Sequence, residues 1–518
     1  MTARNPTISE RFHEETKYAE GDMDKFAVPP LTSGPPEPFK DYHTEQAVNL
    51  IGYLPFDRHP FTGGPLPDTR PDATEAGLYG LSRLLFFTNG VTGIMPMQHG
   101  THHYFRAAPS AGGLYPTEIY LAVRNLPDLA DGIYNYQVRD HSLAPVWEGG
   151  FWARLGAATC ANGALEQANA ALLFTGCWSR GTWRYRDRAY RRALLDTGHV
   201  LGNLTVIGPT CGYGVFPIGG FLDAAINNLL FVDDTEEGAL LIAALPRLES
   251  LNLDQAGGGT ALPSPASHGV APDPNDPLLH QLHRAGYVTD PDTCVTARRA
   301  FPDTRDHGFE DADEVIALEH EPIDFGADGG VERTILARRS ARQFARAGIS
   351  LAELGALLSY AYQPTLPMSQ GNAPSRQMFD PTLLDSYLIV NRSGDLAPGI
   401  YYYAPGRHEL RLMRAGDLGD AARHICLGQD LGGDAACLVI HTADLDEAIQ
   451  RYGDRAYRYL HLDAGHIGQR LNLGALPLGL GASGIGGFYD DAVSRLLALP
   501  DSHLVAYITT IGHSGSDR

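Results

Sequence analysis

Residues 267 positions apart in this 518-residue chain keep returning as the same residues. Gly132-Ile133-Tyr134 recurs as Gly399-Ile400-Tyr401, His141 as His408, and Tyr185 as Tyr452. Arg188-Ala189-Tyr190-Arg191 recurs as Arg455-Ala456-Tyr457-Arg458, and Asp196 with Gly198-His199 as Asp463 with Gly465-His466. Ile218-Gly219-Gly220-Phe221 returns as Ile485-Gly486-Gly487-Phe488. An offset that stays constant from position 132 to position 221 is a duplication. Its period is far too long for a solenoid repeat, so what is duplicated is a whole domain. A chain of this length also exceeds what one core can serve. The expected division is an extended arm at 1–74, a first domain at 75–250, a linker at 251–329 and a second domain at 330–518. Gly257 to Pro277, rich in Gly, Pro, Ser, Ala and Asp, marks the linker.

Local patterns fill the copies with both kinds of element. Leu78, Leu81, Leu84 and Leu85 space out a helical face, as do Leu351, Leu354, Leu357 and Leu358 in the second copy. Ile119 to Val123 is β-branched and aromatic and reads as a strand. Gly132 to Tyr136, the turn at Arg139-Asp140-His141 and Leu143 predict a hairpin, and a long helix is predicted from about Arg188 to Ile207. The fold class is α+β.

The copies differ where chemistry would lie. Ahead of its helix the second has Arg338-Arg339-Ser340-Ala341-Arg342-Gln343-Phe344, whereas the first has Pro71-Asp72-Ala73-Thr74-Glu75. Three arginines and a serine present forked donors and a hydroxyl, the set that matches a phosphate. Conversely, the first copy has Pro109-Ser110-Ala111-Gly112-Gly113 before its strand, and the second has Pro374-Ser375-Arg376-Gln377-Met378 without glycine. Adjacent glycines let backbone N–H groups approach something flat or anionic. One half carries an anion grip and the other a close-approach loop. Gly486-Gly487 is a second stretch where backbone can lie against a ligand. Tyr185 and Tyr452 each follow an arginine, Arg184 and Arg451, and a phenol beside a guanidinium is a candidate acid or base.

Composition narrows the partners. The net charge of −21 argues against binding nucleic acid or an anionic membrane surface. No apolar run reaches membrane-spanning length, no signal-type segment opens the sequence, and the expected location is the cytoplasm. The six cysteines form no CxxC pair and are expected to be buried free thiols, with no metal site and no disulfide. His199 and His466 fall in mid-helix and are expected to be satisfied core groups.

Arg-Arg-Ser-x-Arg-x-Phe before a helix, Pro-Ser-Ala-Gly-Gly-Leu-Tyr-Pro before a strand, Gly-Ile-Tyr-x-Tyr and Gly-Gly-Phe-x-Asp together resemble the FMN-dependent nitroreductase superfamily. The resemblance is closest to its SagB/ThcOx-type branch of peptide azoline dehydrogenases and covers roughly 75–250 and 330–515. Phe12 to Lys17 and Pro38-Phe39-Lys40 also resemble the N-terminal lead of that branch. It implies two nitroreductase-like domains, each a mostly antiparallel sheet flanked by helices, forming an intrachain pseudo-dimer. In the family one subunit supplies the phosphate grip and the other the loop against the isoalloxazine. Carried over, Arg338, Arg339, Ser340 and Arg342 would hold the FMN phosphate and ribityl, Gly486 and Gly487 would line the flavin, and Pro109, Ser110, Ala111, Gly112 and Gly113 would meet its ring. One site of the two would survive.

The azoline oxidases of that branch carry a Lys-Tyr pair near the flavin. Arg184-Tyr185 and Arg451-Tyr452 stand at the matching positions, so the proton-accepting role falls to a tyrosine, because an arginine stays charged. Tyr185 is favoured over Tyr452, since the first copy is the partner of the retained site. The implied function is oxidation of thiazoline or oxazoline rings, or a related heterocycle, in a peptide-derived natural product, with a separate cyclodehydratase as partner. Two other readings remain open: an NAD(P)H-dependent nitroreductase-like enzyme acting on small molecules, and a non-catalytic scaffold of a peptide-modifying complex. Pseudo-symmetric surfaces would also allow two chains to associate.

Overall fold

Thr117–Val123 is buried along its whole length, as are Ala170–Cys177 and Glu237–Leu245, so these strands are covered on both faces. They form the centre of a seven-stranded sheet in the spatial order 48–49, 142–148, 132–137, 117–123, 170–177, 237–245, 216–218. The second copy repeats it as 315–317, 409–415, 399–404, 385–390, 437–444, 503–512, 481–485. Every strand pairing within the two sheets is antiparallel. Each sheet carries one helix buried from end to end, Ala189–Ile207 in the first copy and Ala456–Ala475 in the second. Leu78–Asn89 and Leu351–Tyr362 pack on them. Two copies are what the repeat implied, and an antiparallel sheet flanked by helices in each is what the family resemblance implied.

This computed structural model describes residues 5–21, 36–56, 77–97, 102–247, 276–291, 314–326, 330–362 and 383–515, with single positions 58, 60, 309 and 312. Pro71–Glu75, Pro374–Met378 and most of the linker lie outside the described residues. The chain divides into two units. One holds 1–31, 301–364 and 380–518, and the other holds 32–300 and 365–379.

That division shows a second duplication, hidden in the arm and the linker. Residues Ile8–Glu15 form a capped helix, with Thr7 accepting from the Glu10 N–H and Glu10 reaching back to Thr7. The helix packs on the second copy: the Ser9 N–H donates to Asp454 at 2.9 Å, His13 Nδ1 lies 3.4 Å from the Tyr457 hydroxyl, and the Tyr18 N–H donates to Asp490 at 2.9 Å. Leu278–Ala285 repeats the set on the first copy. There the Leu279 N–H donates to Asp187 at 3.0 Å, His283 Nδ1 lies 3.2 Å from the Tyr190 hydroxyl, and the Val288 N–H donates to Asp223 at 2.8 Å. The helix that precedes each copy in sequence is thus fastened to the other copy. The arm therefore does not run along the first domain alone. Its helix sits with the second copy, while Pro38 to Leu54 stay with the first, where Val48 pairs with Leu143 and Leu50 donates to the His141 carbonyl.

One expectation fails at Cys160, which is disulfide-bonded. Cys177, Cys211, Cys426 and Cys437 are buried free thiols. His199 is a satisfied core group, its Nδ1 2.7 Å from the Leu195 carbonyl one turn earlier.

Candidate functional site

In the first-copy unit, the segment Pro109–Gly113 is a tight turn with Gly112 and Gly113 both at φ 68°, which a side chain would strain. Its fastenings are polar. The Ser110 hydroxyl donates to Asp196 at 2.6 Å and accepts from the Tyr115 N–H at 2.8 Å, and the Ala111 N–H points at the same carboxylate from 3.2 Å. Tyr115 itself has φ 48°, an unusual backbone for a bulky residue. It is braced from three sides: its carbonyl accepts from Arg180 at 2.7 Å, its hydroxyl donates to the Tyr104 carbonyl at 2.8 Å, and its N–H is held by Ser110. Arg180 is in turn paired with buried Glu118 at 2.6 Å. The loop leaves Gly112 exposed on a rigid base.

Tyr185 meets that glycine. It ends the helix Trp178–Tyr185, and a Cβ added to Gly112 would come within 2.7 Å of its hydroxyl oxygen and 3.5 Å of an Arg184 nitrogen. On the other side of the loop, a Cβ on Gly113 would come within 2.7 Å of the His103 ring. Both glycines are therefore needed for these side chains to lie against the loop. Arg184 and Arg192 both address the Tyr185 ring, at 5.7 Å and 3.9 Å from its centroid. The nearer cation comes from the long helix, one turn before Asp196. Asp196 is buried; burial raises its carboxyl to about 7 against the hydrogen bonds from Ser110 and Ala111 and the charge of Arg192. Tyr185 precedes Arg186, whose φ of 48° and ψ of −138° fall in a region that suits glycine.

In the second-copy unit, the Arg/Ser segment is pinned to an edge strand. The Ala341 N–H donates to the Ala482 carbonyl at 2.9 Å, which lays residues 338–342 beside Gly481–Ile485. That strand leads directly into Gly486-Gly487, so the structure brings these two predicted groups to one sheet edge. Arg338 is buried, whereas Arg339 and Arg342 are exposed. The Arg339 guanidinium reaches the carbonyls of Leu336 and Arg338 at 3.0 and 2.7 Å. Tyr452 ends the helix matching that of Tyr185, but its ring meets Tyr459 edge-on at 5.5 Å, and Arg451 turns away to Glu447. Tyr459 occupies the position of Arg192, so the residue matching that stacked cation is an aromatic one in the second copy.

A third cluster, absent from the sequence reading, ties the arm into the first sheet. Buried Lys40 binds Glu237 and donates to the Tyr120 hydroxyl at 2.7 Å. Glu237 also accepts from Tyr120 at 3.0 Å and Thr175 at 2.6 Å. Burial works against both charges, but their attraction outweighs it, holding Lys40 above and Glu237 below their ordinary ranges. Among the described residues no group of His, Cys, Asp or Glu could hold a metal ion, and no helix is long and apolar enough to cross a membrane.

A glycine turn exposed on a rigid base and a row of arginines beside a second glycine pair are parts suited to a ring and a phosphate. The chain belongs to the Nitroreductase family, whose model matches residues 81–245 and 335–513. These are oxidoreductases that typically depend on a flavin. A crystal structure described as a nitroreductase of Anabaena variabilis is 38% identical and covers 99% of this chain and 100% of its own, with a TM-score of 0.83. A protein of Methanocaldococcus jannaschii described as a nitroreductase is 30% identical over 175 residues, 34% of this chain and 87% of that protein. The microcin B17-processing protein McbC of Escherichia coli is 25% identical over 152 residues, 26% of this chain and 52% of McbC.

Proposed function

We propose that the protein is an FMN-dependent dehydrogenase that oxidises azoline rings, or a related heterocycle, in a peptide-derived natural product. The contact of Tyr185 with the Gly112 turn carries this reading, with Arg192 stacked on the tyrosine ring. Similarity to a microcin B17-processing protein supports the substrate class; a cyclodehydratase as partner belongs to the same reading. Arg338, Arg339, Ser340 and Arg342 would hold the FMN phosphate and ribityl, with Gly486 and Gly487 beside them, and Pro109–Gly113 would face the ring. Bound FMN would supply hydride acceptance from the substrate carbon. Tyr185, as the phenolate favoured beside guanidinium groups, would take the proton from the neighbouring carbon and become the neutral phenol, a role that Arg184 cannot fill because a guanidinium stays charged. Arg192 would hold the phenol ring in place, and the braced Tyr115 turn would keep the loop from yielding as the substrate enters.

The test is incubation of the purified protein with a thiazoline-containing peptide, followed by mass spectrometry. Loss of two hydrogens is expected; an unchanged peptide in the presence of bound, oxidised flavin would refute the reading. The expected flavin content is one FMN per chain, and two per chain would contradict a single retained site.

A second reading is favoured by the Anabaena relative, which spans the whole chain and is described as a nitroreductase. Under it the enzyme draws electrons from NAD(P)H and passes them to a small molecule. Anaerobic bleaching of the flavin by NAD(P)H within seconds would favour that reading; bleaching by the peptide alone would favour the first.

A further inference from the structure

We propose that Asp196 is the positioning residue of this site, its single carboxylate clamping the turn Pro109–Gly113 so that Gly112 stays against Tyr185. The proposal takes from the reading above only the loop's role toward a flavin; the clamp itself stands on geometry.

Ser110 has one hydroxyl proton, and it goes to Asp196 at 2.6 Å, because the Tyr115 N–H already occupies the oxygen's acceptor side at 2.8 Å. The Ala111 N–H lies 3.2 and 3.3 Å from the two carboxylate oxygens. Two consecutive residues of the turn thus end on one side chain, and the glycines that follow have no side chains of their own to hold them. The carboxylate is in the middle of a helix that is buried throughout, so its position is fixed by the core. Arg192 precedes it by four residues and shares its helix face. From there the guanidinium reaches the Tyr185 ring at 3.9 Å and adds favourable charge to Asp196. One helical face therefore controls both members of the contact, the loop through Asp196 and the tyrosine through Arg192. Either could be placed without the other, but sharing a helix turn sets them in register with one another.

Hydrogen–deuterium exchange on the full chain, with mass spectrometry of the peptide covering 108–116, reads the clamp whether or not a flavin is bound. Ser110→Ala is expected to speed exchange there by about tenfold, the loss of one charge-assisted hydrogen bond, and Asp196→Ala, which removes the contacts of both Ser110 and Ala111, by at least as much. Exchange in the central strand Ala170–Cys177 should stay as in the wild type. Asp196→Asn, which keeps one acceptor oxygen, should fall between. Unchanged exchange at 108–116 in Asp196→Ala would overturn the proposal. Should that variant fail to fold, unchanged exchange in Ser110→Ala would overturn it equally. FMN titrated into the same variants separates the two readings. Weaker FMN binding together with faster exchange supports both. Faster exchange with unaltered FMN binding supports the clamp and counts against the loop's contact with flavin.

Discussion

The Arg192 guanidinium lies 3.9 Å from the centre of the Tyr185 ring, and the matching pair in the other copy is Tyr459 against Tyr452. The asymmetry predicts which tyrosine works. Tyr185→Phe should lower kcat by about 10²-fold or more, the usual worth of a positioned proton acceptor, with Tyr452→Phe near wild type. Steady-state kinetics on a thiazoline peptide decides it, and equal losses in the two variants would show that the stacked cation does not distinguish the copies.

Arg192 itself should not tolerate a lysine. A planar guanidinium covers a ring face, whereas an ammonium on a flexible stem does not. Arg192→Lys and Arg192→Met are both expected to reduce kcat, Met the more, with KM for the peptide little changed. A KM effect alone would place Arg192 in substrate binding instead.

The Asp196 carboxyl gives stability a defined pH dependence. Its folded value is about 7 against an ordinary 3.8, because burial disfavours the anion. Between those values the folded state holds a proton that the unfolded chain has released, so this group's contribution falls as pH rises from about 4 to about 7. Asp196→Asn removes the dependence. Scanning calorimetry should therefore find the Tm of the Asn variant, relative to wild type, higher at pH 8 than at pH 5. The opposite trend would mean that the buried carboxylate is favoured as the anion.

Arg186 and Gly453 occupy matching positions with matching backbones, φ 48° and ψ −138° against φ 58° and ψ −158°. Only the second copy has the residue that suits this conformation. Arg186→Gly should relieve strain of about 1 kcal/mol and raise Tm by a few degrees. A lower Tm would show that contacts of the Arg186 side chain outweigh the strain.

Lys40 and Glu237 form a buried pair, and removing one partner strands the other. Lys40→Met is expected to cost about 3–5 kcal/mol, and the double change Lys40→Met with Glu237→Leu much less. Denaturant titration of Lys40→Met, Glu237→Leu and the double variant checks it, additive losses being the outcome that contradicts the pairing.

The hairpin, the strand beside it and the long helices were legible in the sequence because identical residues return at one spacing and apolar positions keep their period. The loop residues were legible as candidates because the copies differ there, and Tyr185 because an arginine precedes it, as one precedes Tyr452. The duplicated lead helix was not. Its spacing to the linker helix is 270 rather than 267, and His13 and His283 stand out only once Tyr457 and Tyr190 are seen beside them. Arg192 and Asp196 were equally hidden, since a helix buried all round has no polar face to mark which side meets a loop. Cys160 shows the limit of spacing rules, because no CxxC pair marks it and yet it is disulfide-bonded. Lys40 shows another, for a lysine in a polar arm gives no sign that it will end inside a sheet.

The exchanged lead helices bear on any attempt to dissect the molecule. A fragment starting at residue 330 would lack residues 8–18, leaving the Asp454 and Asp490 carboxylates without their backbone donors. A fragment ending at 250 would lack the donors for Asp187 and Asp223 in the same way. Each half carries the other's missing piece, so cutting the gene in the middle should yield two insoluble products that recover only when made together.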